Sequence, residues 1–382
     1  MKNNFLTALG VLTLILGSCT DKEDSNNTDL SSLQAVDYPT KADKTISSAK
    51  TGKTQVNATT GVTEYEYLTT VEKQEALSPL SLVSISNSDV IYPGSILRGS
   101  SFLNGTYDPL VLSNTFNPVV LSGTLQGAKT SFTADVPPVL SSMRNAINQL
   151  KSDNKSLVDY TAVPAVFEYE STQIFNQKSF TKALDVHADV NVLGGLVSAK
   201  FGYTASSGSS SSTTHTVVKM RQWFYNFAID PKFYKNWVNG DLLSADCGTH
   251  EPLYVSSVDY GRVAFIDVEN NKSEEYNKLM IEASVKIALK AVSGGVSATY
   301  SEEFKSLMTS GKIKFIVVGG PALLAQQISS YEDFVTFIKS PTTTELVSSS
   351  VPISYKVRRL KDNTQVEVKD IFASQYKEFK TN

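Results

Sequence analysis

The residue types that most often carry chemistry are scarce in this sequence, which has three histidines and two cysteines among 382 residues. His187, His215 and His250 lie far apart, and none belongs to an HExxH, a CxxC or another spacing that brings metal ligands together. No GxGxxG or GxxxxGKS/T loop that could cradle phosphate is present. The sequence therefore predicts no catalytic constellation, no cofactor and no metal site.

The position of Cys19, shortly after an N-terminal apolar run, suggests that it is modified by lipid. Lys2 is followed by an apolar run from Phe5 to Leu16 and then by small residues, the pattern of a cleaved export signal that is too short to anchor in a bilayer. The sequence LGSC that ends at Cys19 resembles the bacterial lipobox, in which the cysteine is lipidated. Residues 1–18 are thus predicted to be a signal peptide and Cys19 a lipidation site, with ordinary secretion as the alternative. We expect an exported outer-membrane or cell-surface lipoprotein, or a secreted protein.

Lipidation of Cys19 would leave only Cys247, so no intrachain disulfide could form and the core must hold the fold. Cys247 is interpreted as a structural thiol, with a reactive thiol as the alternative. The net charge of −3 shows neither the basic footprint of a nucleic-acid binder nor a polybasic membrane patch.

Composition divides the rest of the chain into a tether and a body. Residues 19–60 are rich in Ser, Thr, Asn, Asp and Lys and predict a flexible tether. Residues 61–382 form the predicted body, which begins with short apolar runs between turn signals, typical of strands, and continues with a helix near residues 140–150.

Two long segments without proline fit two secondary structures. In the second, alternate residues are apolar, as in a strand with one apolar face: Leu279, Ile281, Ala283, Val285, Ile287, Leu289 and Ala291. At helical spacing the same segment aligns Lys278, Glu282, Lys286 and Lys290 in one charged stripe, with Glu282 and Lys286 in the favoured order.

The first proline-free segment has the same alternation on both sides of a glycine pair. Its apolar set is Leu184, Val186, Ala188, Val190, Val192, Val197, Ala199, Phe201 and Tyr203. A transmembrane strand needs about 9–11 residues, so each segment is long enough for a membrane hairpin stored in water as helices. Two permanently half-buried strand pairs are the alternative that the pattern leaves open.

Four phrases in order resemble motifs of the cholesterol-dependent, or thiol-activated, cytolysins. They are YPGSILRG from Tyr92, EPLYVSSVDYGRVAFIDVEN from Glu251, FIVVGGPA from Phe315 and PISYKVRRLKDN from Pro352. The resemblance covers roughly residues 65–368 and implies an elongated α+β fold around a bent four-stranded antiparallel sheet flanked by two helix clusters. It also implies that the clusters, here about residues 178–228 and 272–312, become transmembrane hairpins in a large ring of subunits.

The resemblance assigns two further sites. Gly319 and Gly320 match the family's hinge, where an edge element swings away so that neighbouring subunits pair. Tyr169, Glu170 and Tyr331 stand near the family's inter-subunit ion pair, although Tyr331 replaces the expected lysine. The family's C-terminal membrane-recognition domain has no counterpart before Asn382, so cholesterol recognition is not supported.

The sequence therefore predicts a pore-forming, toxin-like protein that is not an enzyme. Its expected partners are a target membrane, further copies of itself and a longer homologous subunit, and it is not expected to bind nucleic acid. A non-lytic surface lipoprotein that uses the same scaffold for adhesion or partner binding is the rival. Gln222, which interrupts the apolar set on its strand, and the serine-rich stretch at residues 206–214 favour that rival.

Overall fold

The computed structural model describes residues 30–77, 79–81, 89–112, 114–125, 132–153, 167–185, 187, 201, 214–290, 296–319, 328–339 and 348–381. Twelve strands lie in these ranges: β1 Lys44–Val56, β2 Thr63–Leu77, β3 Leu80–Ser81, β4 Ile96–Leu97, β5 Val119–Leu125, β6 Phe132–Val136, β7 Phe167–Ile174, β8 Thr214–Ile229, β9 Leu253–Asn270, β10 Ile313–Val318, β11 Val351–Arg359 and β12 Val368–Lys380. The α-helices are α1 Gly99–Leu103, α2 Leu140–Asp153, α3 Gln177–Leu184, α4 Ser244–Cys247, α5 Glu274–Ala288, α6 Val296–Thr309 and α7 Tyr331–Lys339.

The predicted four-stranded antiparallel sheet is formed by β7, β8, β9 and β10, in that order. It is one end of a larger sheet, because the long strands β8 and β9 continue beyond β7 and β10 to pair with β5 and β11. The α+β class predicted from the sequence is confirmed. The four strands carry the two segments that are predicted to become membrane hairpins, which are called the convertible segments below.

Strand β8 is distorted where it passes Gly261 of β9. A register shift between Trp223 and Tyr225 marks a bulge in β8 opposite this glycine, and such bulges increase twist and bend a strand. A β-carbon at position 261 would lie 2.0 Å from the Gln222 carbonyl oxygen. Only glycine therefore allows the two backbones to approach this closely.

Part of the predicted tether belongs to a separate three-stranded sheet, in the order β1-β2-β12. Residues 44–56 were expected to be flexible, but they form β1, whose side chains are all exposed. Its ladder with β2 runs from Lys44 opposite Glu72 to Val56 opposite Thr63. Backbone hydrogen bonds, not burial, hold this strand, so its polar composition gave no sign of it.

Apolar side chains cover both faces of the four-stranded region. Val218, Met220, Ala264 and Ile266 pack with helices α5, α6 and α7. On the other face, Val217, Val263 and Phe265 pack with helix α3 and Phe201. No helix among the described residues is both long and apolar enough to cross a bilayer.

Candidate functional site: two convertible segments on the central sheet

Helix α5 begins the second convertible segment, and local signals explain why it is helical in water. The Ser273 side chain accepts a hydrogen bond from the Tyr276 amide and caps the first turn, in which Glu274 and Glu275 face the positive end of the helix dipole. Later in the helix, Lys286 Nζ lies 2.5 Å from Glu282 Oε1, as the charged stripe predicted. The helical alternative is the one that this structure adopts.

Helix α5 buries one face at helical spacing, which includes Met280, Ile281, Ser284, Val285 and Ala288, but two apolar residues of the segment lie outside that face. Leu279 is 39% exposed, and Leu289, which follows the last turn, is 37% exposed. Ser284 is fully buried and donates its hydroxyl hydrogen to the Met280 carbonyl of its own helix, at 2.8 Å. In the strand pattern both leucines belong to the apolar set and Ser284 to the polar set. The remaining described members of the apolar set divide between buried Ile281, Ala283 and Val285 and half-buried Ile287; Ala291 lies outside the described residues.

A buried polar cluster joins α5 to the ends of β8 and β9. Asn277 is fully buried; it accepts a hydrogen bond from Asn270 Nδ2 at 2.7 Å and donates to Thr216 Oγ1 at 3.0 Å. A buried asparagine without partners would cost about 1–3 kcal/mol, so these bonds fix the helix to one place on the sheet. This cluster was not predicted from the sequence. The one available signal was Asn277, a polar residue at a position that faces the sheet in the helical pattern.

Helices α5, α6 and α7 are also joined to one another. The Tyr276 hydroxyl donates to Glu303, and this bond raises the pKa of Tyr276 to about 12. The Ser301 and Tyr331 hydroxyls lie 2.9 Å apart and connect α6 with α7. Phe304 is fully buried against Phe334, with ring centroids 4.8 Å apart. The predicted segment 272–312 therefore corresponds to a helical pair held under α7.

The first convertible segment begins with helix α3. Asn176 accepts from the Ser179 amide, and the Ser179 hydroxyl is 3.0 Å from the Asn176 amide, which completes a capping box. Leu184 and Phe201 are buried in the apolar cluster on that face of the sheet. The other predicted members, Val186, Ala188, Val190, Val192, Val197, Ala199 and Tyr203, lie outside the described residues.

The predicted first segment, 178–228, includes residues that are already a strand in this structure, and its extent as a membrane hairpin stays a prediction. Residues 214–228 belong to β8, a central strand with neighbours on both sides. Gln222, interpreted as a polar interruption of a membrane face, is buried and accepts a 2.6 Å hydrogen bond from Arg262 Nε. In this structure β8 is a central strand with buried side chains. A sequence pattern does not distinguish such a strand from a membrane strand.

Arg262 of β9, the partner of Gln222, also holds helix α7 against the sheet. Its guanidinium is fully buried, donates from Nη1 to the Phe337 carbonyl at 2.9 Å, and lies 4.1 Å from the centre of the Phe337 ring. Burial lowers the pKa of Arg262 to about 9. A charge buried this deeply depends on these contacts, so α7 is held to β9 near the predicted hinge.

Gly319 lies directly after β10, next to that contact. Its φ is +81°, and a β-carbon there would lie 2.7 Å from the Gly261 carbonyl oxygen and 2.8 Å from Val351 Cγ2. Both the backbone conformation and the space therefore require glycine. Gly320 lies outside the described residues. The position suits the hinge that the resemblance predicts, and the hinge role stays a prediction.

Of the predicted subunit contacts, Tyr169 and Glu170 lie on the edge strand β7, and Tyr331 is the first residue of helix α7. In the described part of the chain, β7 pairs only with β8 and β10 only with β9. On β7, Glu170 is 2.7 Å from Lys219 Nζ and 2.8 Å from Arg221 Nη2. Burial alone would raise the pKa of Glu170, but these two cations lower it below its ordinary value. Tyr169 beside it packs against the α5 side of the sheet, as Tyr331 does.

The comparisons with known proteins bear on this arrangement. The family model described as thiol-activated cytolysin matches residues 33–381. The chain belongs to the thiol-activated cytolysin family. Perfringolysin O of Clostridium perfringens is 24% identical over 313 residues, which are 78% of this chain and 59% of the relative. Pneumolysin of Streptococcus pneumoniae is 25% identical over 294 residues, which are 74% of this chain and 59% of the relative.

The solved structure of the human-specific toxin intermedilysin has the same fold. It superposes with a TM-score of 0.65 at 21% identity and covers 93% of this chain and 74% of the toxin. This cytolysin chain spans 59% of the curated relatives named above, so the activity of a whole cytolysin does not transfer to it directly.

Cysteine chemistry has little support in this cytolysin. Cys247 is buried at the end of α4, and burial raises the pKa of its thiol to about 11. A thiol that stays protonated and covered reacts slowly, which agrees with the structural interpretation. No cluster of possible metal ligands occurs among the described residues, and Cys19 lies outside them.

Proposed function

We propose that this protein is a pore-forming, toxin-like cytolysin that oligomerises and converts its two segments into membrane hairpins. One observation carries the proposal: α5 leaves Leu279 39% and Leu289 37% exposed. A strand would place both leucines on one face with Ile281, Ala283, Val285 and Ile287, and would leave only Met280 and Ala288 as apolar residues among the polar ones on the other face. In a bilayer the face with the two leucines would be buried in lipid at roughly 25 cal/mol per Å2, and the hairpin's backbone groups would pair within a closed ring.

The frame for such a ring is present in the fold. Strands β7 and β10 have open outer edges in the described part of the chain, and antiparallel edges of this kind pair readily with another chain. Movement of α7 about Gly319 would clear the approach of a neighbouring subunit to the outer edge of β10. Membrane recognition would come from a longer homologous subunit, and lipid on Cys19 would hold the protein to the producing cell.

Paired lysine substitutions separate the strand function from the helical structure. In the Leu279→Lys, Leu289→Lys variant both changes fall on exposed positions, so we expect the free energy of unfolding to change by less than about 0.5 kcal/mol at each. In a transmembrane strand each lysine would cost roughly 2–4 kcal/mol at the bilayer centre. The matched control is Glu282→Lys, which lies on the polar face of both structures.

The assay measures dye release from phosphatidylcholine vesicles that contain a nickel-chelating lipid. The full chain carries a C-terminal hexahistidine tag, so the tag brings the protein to the bilayer without the proposed longer subunit. We expect release by the wild type and by Glu282→Lys, and no release by the double lysine variant. Equal release by all three would contradict hairpin insertion, whereas binding without release by the wild type would favour the adhesion alternative.

A further inference from the structure

His187, in the first convertible segment, is buried among aromatic rings of the body. Its side chain is 6% exposed. The His187 cage consists of Tyr38, Phe102 and Tyr107, with ring centroids 5.6, 5.0 and 6.2 Å from the imidazole. Tyr38 precedes β1, Phe102 belongs to α1, and Tyr107 follows that helix. The residue therefore fastens the segment to the body at a point where conversion would have to detach it.

Hydrogen bonds define the protonation state that the cage accepts. Nε2 lies 2.9 Å from the Phe102 carbonyl oxygen and 2.9 Å from the Tyr38 hydroxyl. A carbonyl only accepts, so Nε2 carries the hydrogen in the bond to Phe102. Nδ1 is buried and has no hydrogen-bond partner in the described part of the chain. A proton on Nδ1 would thus bring a charge and an unsatisfied donor into an apolar cage, which is costly.

The backbone of the same residue is held as well. The Tyr107 hydroxyl donates to the His187 carbonyl at 3.0 Å, and the Tyr355 hydroxyl lies 3.2 Å from the Tyr107 hydroxyl. Two residues earlier, the Asp185 carbonyl accepts from the Ser81 amide at 3.1 Å. Expulsion of the ring would therefore also loosen the chain between the end of α3 and His187.

Burial of the cage outweighs the groups that would favour an imidazolium. Burial raises the pKa of Tyr38 and of Tyr355, so both hydroxyls stay neutral. Burial also lowers the pKa of His187 below the ordinary 6.5, although the hydrogen bond to the Phe102 carbonyl and the charge of Asp370 on β12 act in the opposite direction. The released imidazole therefore binds a proton more tightly than the caged one. The anchoring is intact above the ordinary value and is lost as the pH falls toward the caged value.

We infer that His187 anchors the first convertible segment and that its protonation expels the ring from the cage, so that acid releases residues 177–187 from the body. This inference rests on the proposed function, because it names the signal that regulates conversion. The release itself is a property of the chain in water and is measurable without a membrane.

His215 shows that acid would not loosen the frame in the same way. Its Nδ1 lies 3.2 Å from Asp267 Oδ1, and this hydrogen bond raises the pKa of His215. Glu269 acts in the same direction and Lys314 in the opposite one. A raised pKa means that this contact is fully formed in acid and weakens as the pH rises. The pairing of β8 with β9 therefore persists under conditions that open the cage.

Hydrogen–deuterium exchange of the full chain at pH 7.5 and pH 5.0, corrected for intrinsic exchange, tests the inference. We expect exchange of residues 177–187 to become faster at the lower pH, because the released imidazole binds a proton more tightly than the caged one and acid therefore favours the open state. Peptides from β8 and β9 should not change. His187→Phe fills the cage with a ring that does not titrate and should abolish the pH response. His187→Gln keeps a donor for the Phe102 carbonyl and should do the same, and His215→Gln should retain the response.

A wild type without the pH response, or the same response in His187→Phe, would overturn the inference. Dye release from the tethered vesicles at pH 5.0 separates this result from the proposed function. Faster exchange without dye release would uphold the anchor and count against the pore. Dye release with no pH response of residues 177–187 would uphold the pore and refute the anchor.

Discussion

Strand β9 and helix α5 are consecutive in the chain, but they differ in which of their side chains are buried. In β9, alternate side chains enter two apolar clusters on the two faces of the sheet, so that Phe265 and Ile266 are both fully buried. In α5, Ser284 is buried while Leu279 is exposed. Strand β9 therefore buries apolar residues on both faces of the sheet. Helix α5 buries one face at helical spacing, and the exposed Leu279 and Leu289 fit only the strand-like pattern of the same segment.

The largest expected effect lies in the frame, at Gly261. The Gly261→Ala β-carbon would lie 2.0 Å from the Gln222 carbonyl oxygen, and relieving that clash by moving the two strands apart should cost roughly 3 kcal/mol. Urea unfolding measures the loss. The control is Gly311→Ala, where φ is +69° but the space is open, and about 1 kcal/mol is expected there. Equal losses at the two sites would show that the close approach of β8 and β9 is not needed.

A smaller effect, confined to the convertible region, is expected for Asn277→Ala. The change leaves the Asn270 amide and the Thr216 hydroxyl without this partner and should cost about 1–3 kcal/mol. Exchange of amide hydrogens in α5 and α6 should accelerate, while exchange in β8 and β9 stays as in the wild type. Ser284→Ala is the control, because within the described part of the chain its hydroxyl bonds only to the Met280 carbonyl of its own helix. Uniform acceleration through both regions would mean that frame and helices unfold as one unit.

Local pattern gave the main features of the fold. The charged stripe at residues 278–290 predicted the helix α5, while the alternation in the same segment predicts a strand that stays a proposal, and the motif around Gly261 and Arg262 pointed to the family. The pattern failed where backbone pairing acts without burial, as in β1, and it did not distinguish a central strand of the sheet, as in β8, from a membrane strand.

The contacts that hold the convertible segments were beyond the sequence. His187 meets Tyr38 across 149 positions, and Asn277 meets Thr216 across 61. Each is an isolated polar residue whose partner is set by topology. The sequence around His187 indicates neither the aromatic cage nor the buried Nδ1 on which the proposed sensitivity to acid depends.

The most direct test of the central claim places single environment-sensitive probes at successive positions from Leu279 to Leu289. Cysteines for labelling are introduced with Cys19 and Cys247 replaced by serine, and the protein is bound to the nickel-chelating vesicles. Signals that alternate between lipid and water, with the odd positions in lipid, are the predicted result. A helical period of about 3.6 residues that persists in the bound protein would contradict conversion of α5 into a membrane strand.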